Sequence, residues 1–490
     1  MATIKRAFLL TLLPALCCFS DPAPARRRPA AGPLRVHPSN PRYFTDGSGR
    51  AIYLAGSHTW RNLQDNGLMD RTSQNPPAVF DYDAYLRFLV RHNHNFMRMW
   101  RWEPPRWIDR QWSDDQPGPL AQYCEPHPWP RTGPGEARDG KPKFDLTRFH
   151  EPYFERLRSR IIAARDQGIY VSVMLFEGWA VQFRDAWDYH PFNLSNNSNG
   201  VDGDGLSYFM IDKSAPGRRV LELQEAYIRK VVDTVNDLDN VLYEVCNEAG
   251  PYSTEWQYHV IRYVKKYESG KPKQHPAGMT FQYRGGSNQT LFDSPADWVS
   301  PNAGSAGEQY DSEPSGAYRR KVILSDTDHQ YGRSGGDALW VWKSFCRGIH
   351  ALFMDDYTPS PTWQDSARAA MGQAVRYAEK AGLASMVPHD ELAGTRYCLA
   401  NPGREYIVFQ PGIRGLFNVN LKDAAGPCQV EWLNVTTGEI SPGRPVPGGK
   451  PRSFATPFPG PAVLYLKCAP ASAAAADRTP AGSAGGPSRG

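Results

Sequence analysis

Apolar residues along this chain follow two alternating rhythms: short runs rich in β-branched and aromatic residues, and longer stretches with an apolar position every three or four residues. The first rhythm marks buried strands and the second amphipathic helices. A hairpin with its turn at Asp46-Gly47 leads through AIYLAG into a first strand. DYDAYLRFLVRHNHN is then helical, with Tyr85, Leu86, Leu89 and Val90 on one face, and FMRMWRWE is the second strand. A helix over about residues 148–167 aligns Tyr153, Leu157, Ile161 and Ala164 before YVSVMLFEGW. Another, over about 218–236, aligns Leu223, Tyr227, Val231 and Val235 before NVLYEVCNEAG. Trp256, Val260 and Val264 mark a further helix. AGMTFQY, ADWVSPN, KVILSDTDH and HALFMDDY supply the last four strands, with helices at DALWVWKSFC and QDSARAAMGQAVRYAEKAG.

Eight strands alternating with helices predict an α/β architecture, a (β/α)8 TIM barrel over residues 37–388, with a doubly wound open sheet as the competitor. Neither GxGxxG nor GxxxxGK[ST] occurs, which removes the main support for a nucleotide-binding sheet. Residues 389–468 change to short strands between Gly, Pro and Asn turns, among them TRYCLA, EYIVFQ, LFNVNL, CQVEWLN and AVLYLKC, and predict a small C-terminal β-sandwich. Residues 469–490 hold too few apolar side chains to fold. Residues 1–30 read as a secretory signal and linker, with Lys5 and Arg6 ahead of the apolar run AFLLTLLPALCCF. That run is broken by Pro14 and is short of the roughly 20 residues of a membrane span. The expectation is a secreted or periplasmic protein without a membrane span, and the surroundings of Cys17 and Cys18 fit a lipid anchor poorly.

Composition narrows the function. The 490 residues are 12% aromatic with 14 Trp, which need a core or a ligand to cover them. The net charge of +5 carries no long basic run beyond Arg26–Arg28, so nucleic acid is not an expected partner. Of the six cysteines beyond the leader, Cys398, Cys428 and Cys468 fall in the last segment, where one disulfide is plausible in an exported chain. No C-x-x-C pair suggests a zinc ribbon, and no metal or other cofactor is expected.

The long connections follow strands, where a barrel builds its site. One holds Trp107, Trp112, Tyr123 and Trp129. The next holds Trp179, Trp187, Tyr189, His190 and Phe192, with an Asn/Asp/Gly-rich end that lacks the spacing of a calcium loop. Loops this long without regular structure serve as walls or lids, or pack on themselves. The strand ends themselves gather His58 and Trp60; Arg98, Trp100 and Glu103; Glu177 and Trp179; Asn247 and Glu248; Asp326, Asp328 and His329; and Asp355 with Asp356. Crowded carboxylates at one mouth raise some pKa values, giving one protonated acid beside one ionised base or nucleophile. Two such groups facing a glycosidic bond are what glycoside hydrolysis requires.

An Asn-Glu pair ending strand four with a second carboxylate ending strand seven is similar to the clan A glycoside hydrolases. YLAGSHTW, FMRMWRWE, HPFN, YEVCNE and ILSDTDH, with EYIVFQPG, VEWLNVTTGE and VLYLK, resemble one branch of them. These are the apiosidase-like bacterial barrels with a C-terminal domain named for collagen binding, and the likeness runs from about residue 37 to 468. It implies a retaining glycosidase acting on a polysaccharide or oligosaccharide. Glu248 is then the acid/base and Asp326 the nucleophile, Asn247 holds the sugar 2-hydroxyl, and Arg98 supports the nucleophile. His58, Trp60, Trp100, Glu103, Glu177, Trp179, His329 and Asp355 are the further candidates for substrate contact. Many clan members carry Glu where this chain has Asp326; the shorter side chain withdraws the carboxylate by roughly 1.5 Å, which leaves Asp328 or Glu177 as alternative partners. Asp326 and Asp328 are expected to point the same way along strand seven. Two other readings stay open: a non-catalytic carbohydrate-binding or adhesive barrel, and a metal-dependent hydrolase built on Asp326, Asp328 and His329. A zinc collagenase is not among them, because no HExxH occurs.

Overall fold

The computed structural model describes residues 27–68, 72–109, 120–182, 184–302, 321–330, 336–355, 357, 364–412 and 415–470. The leader before Arg27, Trp112, Asp356 and the tail beyond residue 470 lie outside the described residues.

Eight strands form one parallel sheet: β1 Gly56–His58, β2 Phe96–Met99, β3 Tyr170–Glu177, β4 Val241–Asn247, β5 Ala277–Thr280, β6 Trp298–Ser300, β7 Val322–Asp326 and β8 His350–Met354. Their order is β1-β8-β7-β6-β5-β4-β3-β2, so from β2 to β8 each strand neighbours the next, β1 pairs with β8, and the sheet curls into a nearly closed barrel. Side chains finish the seam between β1 and β2. Asn95 Oδ1 accepts from the Ala55 amide at 2.9 Å, and His94 Nδ1 accepts from the Ser57 amide at 3.2 Å. Gly56 permits the approach, since a Cβ there would sit 2.1 Å from the Phe96 carbonyl oxygen.

The helices α1 Tyr82–Arg91, α2 Glu151–Asp166, α3 Ala215–Val235, α4 Thr254–Glu268, α5 Asn288–Asp293, α6 Thr327–Gln330, α7 Ala338–Cys346 and α8 Asp365–Lys380 fall between or after the strands. Side-chain caps start α1, α3, α5 and α7: Asp81 accepts from the Ala84 amide, Ser214 from Gly217, Ser287 from Gln289 and Asp337 from Trp340. Alternation along the strands then divides the core. Met97, Met99, Val241, Tyr243 and Val245 pack outward among the helices. Phe96, Leu242, Val322, Leu324 and Leu352 fill the barrel's lower interior with Ala30, Leu34 and Phe44. The chain from Arg27 on is therefore docked; the Ala30 amide donates to the Arg165 carbonyl at 2.9 Å. Above that apolar floor the inward positions become Arg98 and Glu244, and the chemistry starts there.

Three expectations change. Strand two stops at Met99, so Glu103 lies beyond it. The loop after it is not irregular: Arg106–Asp109, Leu120–Glu125 and Asp65–Asn66 form a three-stranded sheet, and Arg131–Glu136 pairs with Pro142–Phe144. Trp100, Trp102, Trp107 and Trp60 pack against one another there and are buried. Strand seven also ends sooner than KVILSDTDH suggests, because Thr327–Gln330 is a helical turn.

The C-terminal region is antiparallel. Strands β9 Val387–Pro388, β10 Cys398–Asn401, β11 Glu405–Gln410, β13 Pro427–Asn434, β14 Ile440–Pro447 and β16 Ala462–Cys468 form a sheet in the order β9-β10-β11-β16-β13-β14. The pair β12 Leu416–Asn420 and β15 Pro451–Ala455 forms a second. Phe417, Val419 and Phe454 of the second sheet share a core with Tyr406, Trp432 and Leu464 of the first. A Cys428–Cys468 disulfide joins β13 to β16. Leu399, Ile407, Phe409, Leu433 and Val463 pack on the other side against Trp342, Phe345, Met371 and Ala374 of α7 and α8. Glu431 fastens the contact by accepting from Tyr377 Oη at 2.9 Å and from Lys380 Nζ at 2.5 Å.

Candidate active site

Arg98 stands at the centre of the barrel mouth, 1% exposed, and all five of its N–H groups have an acceptor. Nε donates to Glu244 Oε2 at 2.9 Å and Nη2 to Glu244 Oε1 at 2.6 Å. Nη2 also donates to Asn247 Oδ1 at 2.8 Å, and Nη1 to Asp326 Oδ2 at 2.9 Å and Asp328 Oδ2 at 3.2 Å. Asp326 is fully buried. It receives His58 Nε2 at 2.8 Å, and its Oδ1 accepts from the Asp328 amide at 2.9 Å, so it caps the turn α6. Burial alone would push the Asp326 carboxyl up, but His58 and Arg98 overcome that and hold it well below the usual carboxylate range.

The α6 turn separates the two aspartates. Asp326 faces down into the Arg98 cluster, whereas the Asp328 side chain is 10% exposed and reaches Glu248. An oxygen of Glu248, an oxygen of Asp328 and a ring nitrogen of His329 lie within 4.8 Å of one another. Burial and the facing Asp328 and Glu177 carboxyls raise the Glu248 pKa well above its ordinary value; burial raises Asp328 to about 6 against the pull of Arg98. Glu248 has a left-handed backbone (φ 49°), a conformation that costs a non-glycine residue on the order of 1 kcal/mol.

His329 is neutral, since burial pushes its pKa down to about 3. Its Nε2 lies 3.3 Å from Asn247 Oδ1, an acceptor, so Nε2 carries the proton; Nδ1 then accepts from the Ser300 hydroxyl at 2.7 Å. In this tautomer neither ring nitrogen is open, so an ion beside Glu248 and Asp328 would have to displace the Asn247 contact and move the ring proton to Nδ1, where the Ser300 hydroxyl can accept it. Asp326, the third member of the expected metal set, is consumed by His58 and Arg98.

The other candidates divide. His58 and Trp100 belong to the mouth: their rings stack at 5.8 Å, and Arg98 lies 4.9 Å over Trp100. Glu177 ends β3 and accepts from the Trp179 amide at 2.7 Å and the Ala180 amide at 3.1 Å. Burial nonetheless lifts it to about 8, a neutral acid at pH 7. Trp179 is half-buried beside Trp102. Glu103 is not at the mouth but pairs with Arg101 Nη2 at 2.7 Å and accepts from the Glu177 amide at 3.2 Å. Trp60 is 5% exposed in the tryptophan cluster. Asp355 is withdrawn from the mouth, fully buried, with both oxygens on Arg368 of α8. The Asn-rich loop is self-contained: Asn197 Nδ2 donates to the Pro191, Asn193 and Val201 carbonyls at 3.1, 3.0 and 2.8 Å.

Solved structures with this architecture include a glycoside hydrolase (TM-score 0.55, 11% identity, 89% of this chain and 97% of that one). Another is a family 5 glycoside hydrolase from Bacteroides vulgatus (TM-score 0.57, 12% identity, 90% and 95%). A third, also from Bacteroides vulgatus and itself assigned only provisionally as a glycoside hydrolase, gives 0.58 at 13% identity, with 89% and 82% covered. The fold is that of the glycoside hydrolase barrels. No family model matches the sequence, and no curated protein does.

Two residues that support the mouth were not among the sequence candidates. Glu244 lies inside β4, and Ser300 ends β6. The signal for Glu244 was present: an ionisable side chain amid VLYEVC has to be paired. Ser300 carried none.

Proposed function

We propose that this chain is an exported glycoside hydrolase that cleaves a polysaccharide or oligosaccharide with retention, using Glu248 as acid/base and Asp328 as nucleophile. The observation that carries it is the pairing of these two carboxyls within 4.8 Å at the mouth of a glycoside-hydrolase-type barrel. Retention needs carboxyls roughly 5–5.5 Å apart and inversion roughly 6.5–9.5 Å. Arg98 holds only Oδ2 of Asp328, which is partly exposed beside Glu248, whereas Asp326 has Oδ2 on Arg98 and Oδ1 on His58 and the Asp328 amide. The attack forms the Asp328–sugar bond as the glycosidic C–O bond breaks and Glu248 protonates the departing oxygen. Glu248, now ionised, then takes a proton from the water that releases the sugar. The motif order cited above supports placement in the apiosidase-like branch.

A fluorinated glycoside that traps the covalent intermediate should label Asp328, located by mass spectrometry of peptides. Asp328→Asn should lower kcat by roughly a thousandfold or more while leaving the melting temperature close to wild type. A label on Asp326 or Glu177 would sink the assignment. Wild-type protein that binds sugar without turning it over would favour the non-catalytic reading.

Export is supported by the basic and apolar leader followed by Ala23-Pro24-Ala25, a small–x–small processing signal just ahead of docked Arg27. The exported protein should begin near Arg26 by N-terminal sequencing; a full-length chain confined to the cytosol would refute export.

A further inference from the structure

Glu244 makes no contact that a substrate could use, being fully buried one layer below the mouth, yet it takes two of the five N–H groups of Arg98. We propose that Glu244 is the positioning residue of the site: its two-point grip fixes the plane of Arg98 so that the other three N–H groups are delivered to Asn247, Asp326 and Asp328, and its charge offsets Arg98 so that Asp328 is not over-stabilised as an anion. The proposal rests on the reading of Glu248 and Asp328 as the reacting pair.

Geometry requires it. A guanidinium is a rigid fork, but it turns about its stem unless something holds both Nε and a terminal nitrogen. Glu244 holds both, at 2.9 and 2.6 Å, from an inward position on β4 four residues before Glu248. The three N–H groups left over each meet a residue of the mouth, at 2.8, 2.9 and 3.2 Å. The longest of these goes to Asp328, the contact most easily lost on rotation.

Charge points the same way. Asp328 faces Arg98 from β2, Glu248 from β4, Asp326 with His58 behind it from β7 and β1, and His329 beside it; Glu177 of β3 bears on Glu248, and Glu244 reaches Asp328 through the arginine they share. Arg98 is the one permanent cation in that set. Burial, with Asp326 beside it, raises Asp328 to about 6 against the pull of Arg98, and Glu244 holds two N–H groups of that same arginine. Removing the Glu244 charge leaves Arg98 more positive towards Asp328 and should lower the pKa of that carboxyl.

The test is Glu244→Gln in the full chain, read two ways. The acid limb of kcat/KM on an aryl glycoside should move down by about one pH unit, with kcat reduced roughly tenfold and KM little changed. Carboxyl carbon NMR, with Asp328 assigned by its loss in Asp328→Asn, should show the same downward shift of about one unit without any need for turnover. A folded Glu244→Gln with an unmoved limb and unmoved Asp328 midpoint overturns the charge role. Glu244→Asp keeps the charge but shortens the reach. It should hold the Asp328 midpoint while lowering kcat, and a Glu244→Asp variant with full kcat overturns the positioning role. Absence of glycoside turnover in the wild type would count against the reacting pair instead, since the NMR shift reports on Glu244 independently.

Discussion

Glu248→Gln should lower kcat on a substrate with a poor leaving group by roughly a hundredfold to ten-thousandfold, and far less on an activated aryl glycoside. The amide keeps the size of the side chain but cannot donate an acidic proton to a departing alkoxide. An aryl leaving group departs without that proton, so its bond-breaking step is spared. The pH profile should change in a defined direction. In the wild type Asp328 must be ionised, which places the acid limb near pH 6, and Glu248 must be protonated, which places the alkaline limb above the ordinary carboxyl range. In Glu248→Gln the alkaline limb should vanish while the acid limb stays near pH 6, because Glu248 is already neutral where Asp328 titrates. Steady-state kinetics on paired substrates measure both. Full activity of Glu248→Gln on an alkyl glycoside would remove Glu248 from the role.

The second large effect is on stability. Arg98→Met should destabilise the fold by about 3–5 kcal/mol, the cost of removing one partner from a buried ionic cluster. Glu244 and Asp326 are both fully buried, and the Glu244 carboxylate would lose its two guanidinium bonds. A thioether fills most of the volume but supplies no donor, so the carboxylates must take up protons or stay charged in a dry interior. Denaturation by urea at neutral pH measures the loss. It should shrink as the pH falls, because protonating the stranded carboxyls relieves the penalty. Stability equal to wild type at neutral pH would mean that Arg98 is not what pays for the buried acids.

How much of this was legible depended on whether the decisive force was local. The barrel strands could be read because both faces are buried, which leaves uninterrupted apolar runs such as VSVMLF and VLYEVC. β14 was invisible: Pro442, Pro445 and Pro447 argue against a strand, yet it lies at a sheet edge, where missing donors are tolerated. The fate of Asp326 and Asp328 turned on one hydrogen bond. Read as a strand, SDTDH points both aspartates the same way; with Asp326 as a helix cap, Asp326 is tucked below and Asp328 lies beside Glu248, while both still accept from Arg98 Nη1. Residue type allowed either reading, and the cap prevails with Thr327 Oγ1 accepting from the Met354 amide at 2.9 Å on neighbouring β8. Asp355 was misplaced because its partner, Arg368, comes from α8, and no spacing rule announces such a pair.

The backbone at Glu248 has an evolutionary consequence. A left-handed conformation and an unfavourably buried acid group both act against folding, so a glycine at this position would relax the chain and remove the acid together. Drift under selection for stability alone would erase Glu248 early. Glu248→Gly should therefore raise the unfolding free energy while removing the proposed acid.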